Sequence, residues 1–323
     1  MSFPLSILDL AFVAPGETVQ DAFRGSVALA QIAEAAGYRR VWYAEHHNMP
    51  SIASSAPAVL IAHIAAKTHS IRLGAGGVML PNHSPLTIAE QFGTLAALYP
   101  GRIDLGLGRA PGGDSITFGA MRRSPSAAET FPADVRELQG YLSGQSLVTG
   151  VSATPGAGTN IPLYILGSSL FGAQLAAAMG LPFGFASHFA PASLQQAVAL
   201  YRSQFRPSAQ LERAYVIAGI NVVAADTEAD ARGHLLQAQR LRVSILLGGG
   251  RSVADAEADA ILTSPRGRFL RDMMEYTAVG TPDKVKADLE QFAVHADADE
   301  LMLAFGNPTL HARLRAVQRV ALG

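Results

Sequence analysis

The chain of 323 residues contains no cysteine, which excludes a disulfide framework, a thiolate nucleophile and any metal site built on sulfur. It has almost no net charge: 25 basic against 26 acidic residues leave −1. Nothing electrostatic therefore recommends nucleic acid or an anionic membrane surface as a partner. No apolar run approaches the length of a membrane span, since the most apolar stretch, 53–66, is short and interrupted by His63. The opening MSFPLSILDLAF lacks a basic flank and reads as a strand, not a signal peptide, so a soluble cytoplasmic protein is expected. His63 and His69 have no acidic partner at ligand spacing, and no metal is expected. His234, His295 and His311 read as solvated residues of outer helices. No G-x-G-x-x-G fingerprint follows the first strand, so a dedicated NAD(P)H domain is missing. No Pro-, Gly- or Ser-rich linker divides the chain, and 1–323 is expected to be one domain.

What the sequence does have is alternation. Runs of β-formers at 6–12, 38–44, 71–80, 103–107, 162–166, 183–186, 214–224 and 300–305 are separated by helical patterns. Those patterns occupy 17–36, 56–68, 85–98, 132–142, a segment closing at Gly180, 192–205 and the region after Pro308. Eight buried strands, each followed by a helix, count out a (β/α)₈ barrel. The rival, a doubly wound open sheet, would usually need fewer strands or a second domain in this length. Two excursions exceed ordinary loops: 111–131 after strand four, and 248–280 between strands seven and eight.

In such a barrel the active site lies at the C-terminal ends of the strands. Glu45, His46 and His47 follow the second strand directly, and three consecutive ionisable groups there are costly to fold unless they face a cleft. A carboxylate beside two imidazoles can also move protons near neutral pH. Asp9, Gly76, Gly77, Arg109, Gly167, Ser168, Ser169, Ser187 and His188 map to the same rim. Each has an ordinary explanation alone: a hydrogen-bonded structural Asp, a bulge at Gly76-Gly77, a solvated Arg, a helix-capping Ser. Together they suggest a phosphorylated cofactor. Gly167-Ser168-Ser169 ends a strand and opens a helix, so N–H groups, hydroxyls and the helix dipole converge on an anion. Arg109 offers that anion a bidentate fork, and Gly76-Gly77 would let backbone approach a flat ring. Arg122-Arg123 reads as a solvated pair, and Met79 and Leu80 as either core or pocket lining.

The strings WYAEHHN (42–48), GAGGVMLPNHSPLTIAEQFGTLAALYPGRIDLGLGRAPGGD (74–114), LYILGSSLFGAQLAAAMGLPFGFASHF (163–189) and VGTPDKV (279–285) resemble the bacterial luciferase-like monooxygenases, and in particular their single-chain group. The resemblance implies a (β/α)₈ barrel, commonly a homodimer, that binds reduced FMN and activates oxygen. It assigns the family's supporting histidine to His46 and its non-prolyl cis peptide against the flavin ring to Gly76–Gly77. The phosphate-binding arginine falls on Arg109, and the phosphate-binding serine on Ser169 with Ser168 beside it. Two departures stand out. Ser168 replaces a luciferase glutamate, and Ser187-His188-Phe189 replaces its tryptophans, so light emission and long-chain aldehyde specificity do not follow. With no NAD(P)H domain, a separate NAD(P)H:flavin reductase would supply the reduced FMN, and a small organic molecule would be the substrate. His46 would be the general acid/base, with Glu45 or His47 setting its orientation and charge. The alternatives are a deazaflavin-dependent hydride-transfer enzyme on the same barrel and a non-catalytic flavin-binding protein.

Overall fold

The computed structural model describes residues 3–110, 112–248 and 253–321; Pro111, in the loop after strand four, and 249–252, in the later excursion, lie outside the described residues. Among the described residues nine strands are present: β1 (Leu5–Asp9), β2 (Arg40–Tyr43), β3 (Arg72–Met79), β4 (Ile103–Gly108), β5 (Leu163–Gly167), β6 (Phe183–Phe185), β7 (Val216–Ala224), β8 (Thr277–Gly280) and β9 (Glu300–Phe305). Every pairing is parallel, in the order β6-β5-β4-β3-β2-β1-β9-β7, and a β6–β7 pairing closes the ring. Strands covered by helices outside and side chains inside are buried on both faces, which is why they read as near-continuous apolar runs. The result is a closed barrel of eight strands with helices between them.

Local chemistry sets the helix limits. The helix Pro85–Leu98 has the bounds its sequence predicts, with Ser84 accepting from Thr87 N–H and proline at the first turn. Thr18 and Asp21 form a capping box for Val19–Ala35, which turns Ala22, Ser26, Leu29 and Ala33 to the barrel. Leu170–Met179 ends at Gly180 in the left-handed conformation.

The strand β8 departs from expectation, because the excursion 248–280 contains it. Since β9 holds one edge of β7, β6 and β8 share the other: β6 pairs with 216–218 and β8 with 221–224. The wall is thus built by a different strand at its two heights. Before it, the long helix Glu228–Leu247 and the helices Asp255–Thr263 and Arg268–Met273 enclose a small core of Val243, Val253, Ala258, Leu262 and Leu270.

Inside the barrel, the N-terminal end is plugged by charge. Arg40 pairs with Asp104 at 2.7 Å and with Glu300 at 2.9 Å, and donates to Tyr164 Oη at 2.7 Å. Ser6 and Tyr215 hydroxyls donate to Glu300, and Trp42 Nε1 to Asp104. Burial works against the Arg40 charge, and the two carboxylates outweigh it. Above this floor Trp42, Tyr164, Ile217 and Met302 form an apolar layer with Leu8 and Leu166. At the next level, at the mouth, the strands carry Gly76, Gly108 and Gly219, and the side chains of Met79 and His188 lie over the last two.

Candidate functional site

Glu45 leaves β2 fully buried and becomes the hub of the mouth. Its Oε1 accepts from His47 Nε2 at 2.9 Å, His83 Nε2 at 2.9 Å and Asn82 Nδ2 at 3.1 Å, while Oε2 accepts from Met79 N–H at 3.0 Å. Burial alone would raise this carboxyl. The His83 hydrogen bond and charge, helped by His47 and the Met79 amide, outweigh burial and hold it below its ordinary value. An ionised carboxylate only accepts, so both imidazoles carry their proton on Nε2.

His46 sits beside this hub without bonding to it. Its backbone N–H donates to Ser54 O at 3.0 Å, and its Nδ1 is buried with no partner. Burial pulls its pKa below the ordinary value, opposed by the Glu45 charge and reinforced by His47. Burial thus favours the neutral form of His46. The expectation that Glu45 or His47 orients His46 is corrected here: both act on its charge, and Glu45 orients His47 and His83 instead.

Asp9 faces the helix side of β1. Its Oδ2 accepts from Ser26 Oγ at 2.6 Å and its Oδ1 from Ala11 N–H at 3.0 Å. That bond braces a turn in which Ala11 has φ 48° and accepts from Ala53 N–H. Asp9 thus holds the loop behind His46 and spends both oxygens on the fold.

Gly76–Gly77 is a cis peptide bond, the form the resemblance implies. The β3–β4 register shifts there, with Ala75 opposite Leu105 and Val78 opposite Leu107. A Cβ on Gly76 would lie 2.8 Å from Trp42 Cβ, and one on Gly77 2.8 Å from both Gly106 O and Leu166 Cδ1. Packing from beneath already demands glycine at both positions. Leu80 is core, and Met79 packs toward Gly108 and Gly112.

Arg109 follows β4 and is exposed, with its guanidinium carbon 4.2 Å from the Phe171 ring centroid. Phe171 lies in the first turn of Leu170–Met179, whose N-cap Ser169 is extended and makes no side-chain cap bond. A cation, an unspent hydroxyl and free helix N–H groups thus meet beside Gly167 and Ser168. Of the Arg122-Arg123 pair, Arg122 is exposed, whereas Arg123 donates from Nε to Asn82 O at 3.0 Å.

On the β6–β7 side, Ser187 is fully buried and donates to Gly219 O at 2.6 Å, which leaves its hydroxyl facing the wall. The His188 ring lies over Gly219, where an added Cβ would stand 2.3 Å from Nδ1. That Nδ1 is shut from solvent and unpartnered, although the ring is only partly buried. Burial, then the charges of Arg242 and His46, push its pKa down to about 3. Asn221 donates to His188 O at 2.6 Å and accepts from Arg242 Nη2 at 2.8 Å.

The structure therefore brings Glu45, His46, His47 and His188 to one mouth, with Arg109 and Ser169 paired beside it. Sequence reasoning missed Asn82, His83, Asn221 and Arg242. His83 was findable as a second histidine just past a strand end. Arg242 carried a subtler signal: no acid stands three or four residues away on its helix, where 238, 239, 245 and 246 are Ala, Gln, Ile and Leu. Among the described residues no cluster of three or more His, Asp or Glu is placed to hold a metal, and no helix is long and apolar enough to cross a membrane.

Comparison with known proteins agrees with this architecture. A family model described as luciferase-like monooxygenase matches residues 3–299. A luciferase-like monooxygenase of Escherichia coli (strain K12) is 48% identical over 301 residues, covering 92% of this chain and 90% of that protein. The N-acetyl-S-alkylcysteine monooxygenase of Bacillus subtilis (strain 168) is 37% identical over 256 residues, covering 77% and 75%. The crystal structure of apo-MsnO8 superposes with a TM-score of 0.89 at 33% identity, covering 99% of this chain and 97% of that one.

Proposed function

Because the chain belongs to the luciferase-like monooxygenase family, we propose that it takes reduced FMN from a separate NAD(P)H:flavin reductase and uses oxygen to oxidise a small organic substrate. The observation that carries this reading is the pairing of Arg109 with the uncapped start of Leu170–Met179. Arg109 has no carboxylate partner among the described residues, and Ser169 makes no capping bond. An FMN phosphate suits both.

The residues fit the rest of the cofactor as well. Arg109, Ser169, Ser168 and Gly167 would hold the phosphate, and the Gly76–Gly77 backbone would face the ring. When bound, reduced FMN supplies the electron pair by which one oxygen atom passes to the substrate and the other to water. The chain's own part is to shield, orient and move protons. In its neutral form His46 holds an acceptor nitrogen in the mouth, and the charged Glu45 beside it favours the protonated form whenever His46 takes a proton. The His47 and His83 bonds fix the Glu45 carboxylate so that this influence has a constant direction. The family's dimer and a cytoplasmic setting complete the proposal.

The test is direct. Pure protein with FMN and NADH should leave NADH unconsumed, and photoreduced FMN should bind more tightly than oxidised FMN. Adding a flavin reductase should produce oxygen uptake that depends on an organic substrate. Rapid NADH oxidation without a reductase overturns the two-component reading. Stoichiometric flavin binding with no turnover across a substrate panel would favour a binding protein, and turnover only with a deazaflavin would favour hydride transfer.

A further inference from the structure

A second cation in the mouth is not used by the phosphate site. Arg242 extends from the long helix Glu228–Leu247 toward the end of β7, where its Nη2 donates to Asn221 Oδ1, a neutral acceptor. No carboxylate pairs with it among the described residues. The contrast with the floor is instructive, since buried Arg40 is met by both Asp104 and Glu300. On its own helix Arg240, two residues earlier, is met by Asp255 and Asp259. Burial pulls Arg242 below its ordinary value and nothing offsets that pull. Arg242 is half-buried, and a guanidinium partly withdrawn from water without a counter-charge is held at a cost that an arriving anion would offset.

What surrounds it defines that anion. His188 lies close enough for the Arg242 charge to act on it, and its carbonyl shares Asn221 with Arg242. A proton on His46 would oppose one on His188, so the two imidazoles act on each other. The cation therefore shares the mouth with the proton-handling residue, on the β6–β7 side, while Arg109 and Ser169 serve a phosphate on the β4–β5 side. A guanidinium fork matches the two coplanar oxygens of a carboxylate. One cation beside a neutral imidazole and an amide suits a single negative charge better than a dianion.

We infer that Arg242, with His188 and Asn221, is the recognition site for a carboxylate on the substrate, so that this chain oxidises organic acids in preference to neutral molecules. The inference rests on the monooxygenase reading for what happens to that substrate, but the binding site itself is testable without turnover.

Acetate and benzoate serve as probes, with benzamide as the neutral isostere of benzoate. Titrations are followed through the imidazole NMR signals of His188, assigned with His188→Gln, and FMN affinity is measured separately by fluorescence. In the wild type, benzoate should give saturable shifts at His188 and bind about tenfold or more tightly than benzamide. Arg242→Gln should weaken benzoate about tenfold or more and leave benzamide unchanged, and Arg242→Lys, which keeps the charge without the fork, should fall between. FMN affinity should stay within about twofold in both variants. Arg242→Lys also separates recognition from folding if Arg242→Gln melts early. The proposal is overturned if neither carboxylate shifts His188 saturably, or if benzoate and benzamide bind alike. It is also overturned if Arg242→Gln loses FMN as strongly as benzoate, which would give Arg242 to the cofactor. Normal benzoate recognition with no FMN binding would refute the flavin reading and leave the anion site standing.

Discussion

Two arginines and two histidines at the mouth differ in what satisfies them, and their substitutions should differ accordingly. Arg109→Ala should weaken FMN by roughly 1.5–3 kcal/mol, the range for a hydrogen bond to a charged group, or about 10- to 150-fold in dissociation constant. Riboflavin, which lacks the phosphate, should be indifferent, and fluorescence titration with both ligands checks this. His46→Ala should fold and bind FMN normally but turn over about 10²- to 10⁴-fold more slowly, because its Nδ1 braces nothing and the substitution removes a proton acceptor. Steady-state rates and melting curves on one preparation separate these effects. His188 contributes through pH. Its folded pKa is lowered from 6.5 to about 3, so the unfolded chain binds the proton more readily. The stability tied to its neutral form is complete above 6.5 and is lost as pH falls toward about 3. Denaturant curves across about pH 4 to 7.5 should therefore show a shallower acid slope in His188→Gln than in the wild type. Glu45, His46, Arg109 and Ser169 could be read from the sequence because each stands in a short motif at a strand end. The bonds among them were less legible: His83 reaches Glu45 because β3 pairs beside β2, and Arg242 reaches Asn221 from a helix that follows β7, contacts that no local motif spells out.

At the scale of elements, the segment after β6 packs on β7 over one glycine. Gly219 lies under the His188 ring, where a methyl would stand 2.3 Å from Nδ1. Gly219→Ala should cost about 1–3 kcal/mol by overpacking and displace the His188 ring, visible as shifted imidazole resonances in a folded protein. Unchanged resonances would mean that the wall, not the ring, had moved. Eight strands were legible because each buried run is bounded by a turn or a helix cap, as at Ser84 and Pro85. The strand β8 was not. Four residues, TAVG, with burial at only Ala278 and Gly280, are too short to show a period, and its pairing with β7 is purely tertiary. The Gly76-Gly77 pair was legible as unusual, but the packing of Trp42 and Leu166 that demands those glycines was not.

Across the whole molecule, the two ends of the barrel are chemically opposed, with a saturated ionic floor and a mouth whose cations await partners. Arg40→Met should destabilise the fold by about 3–5 kcal/mol, because Glu300 would keep only Arg39 at 3.7 Å and Asp104 only Arg72 as counter-ions. Replacing Arg40, Asp104 and Glu300 together by apolar residues should cost less than that single change, and equilibrium unfolding of both variants checks the order. The shared edge of β7 has a further consequence, visible in hydrogen exchange. Asn221 N–H donates to Tyr276 O and Ala225 N–H to Gly280 O, each at 3.1 Å, whereas Gly306 N–H donates to Val222 O within the barrel proper. One strand therefore carries two clocks: Asn221 and Ala225 amides exchange at the rate at which the excursion lifts away, and Gly306 at the rate at which the barrel itself opens.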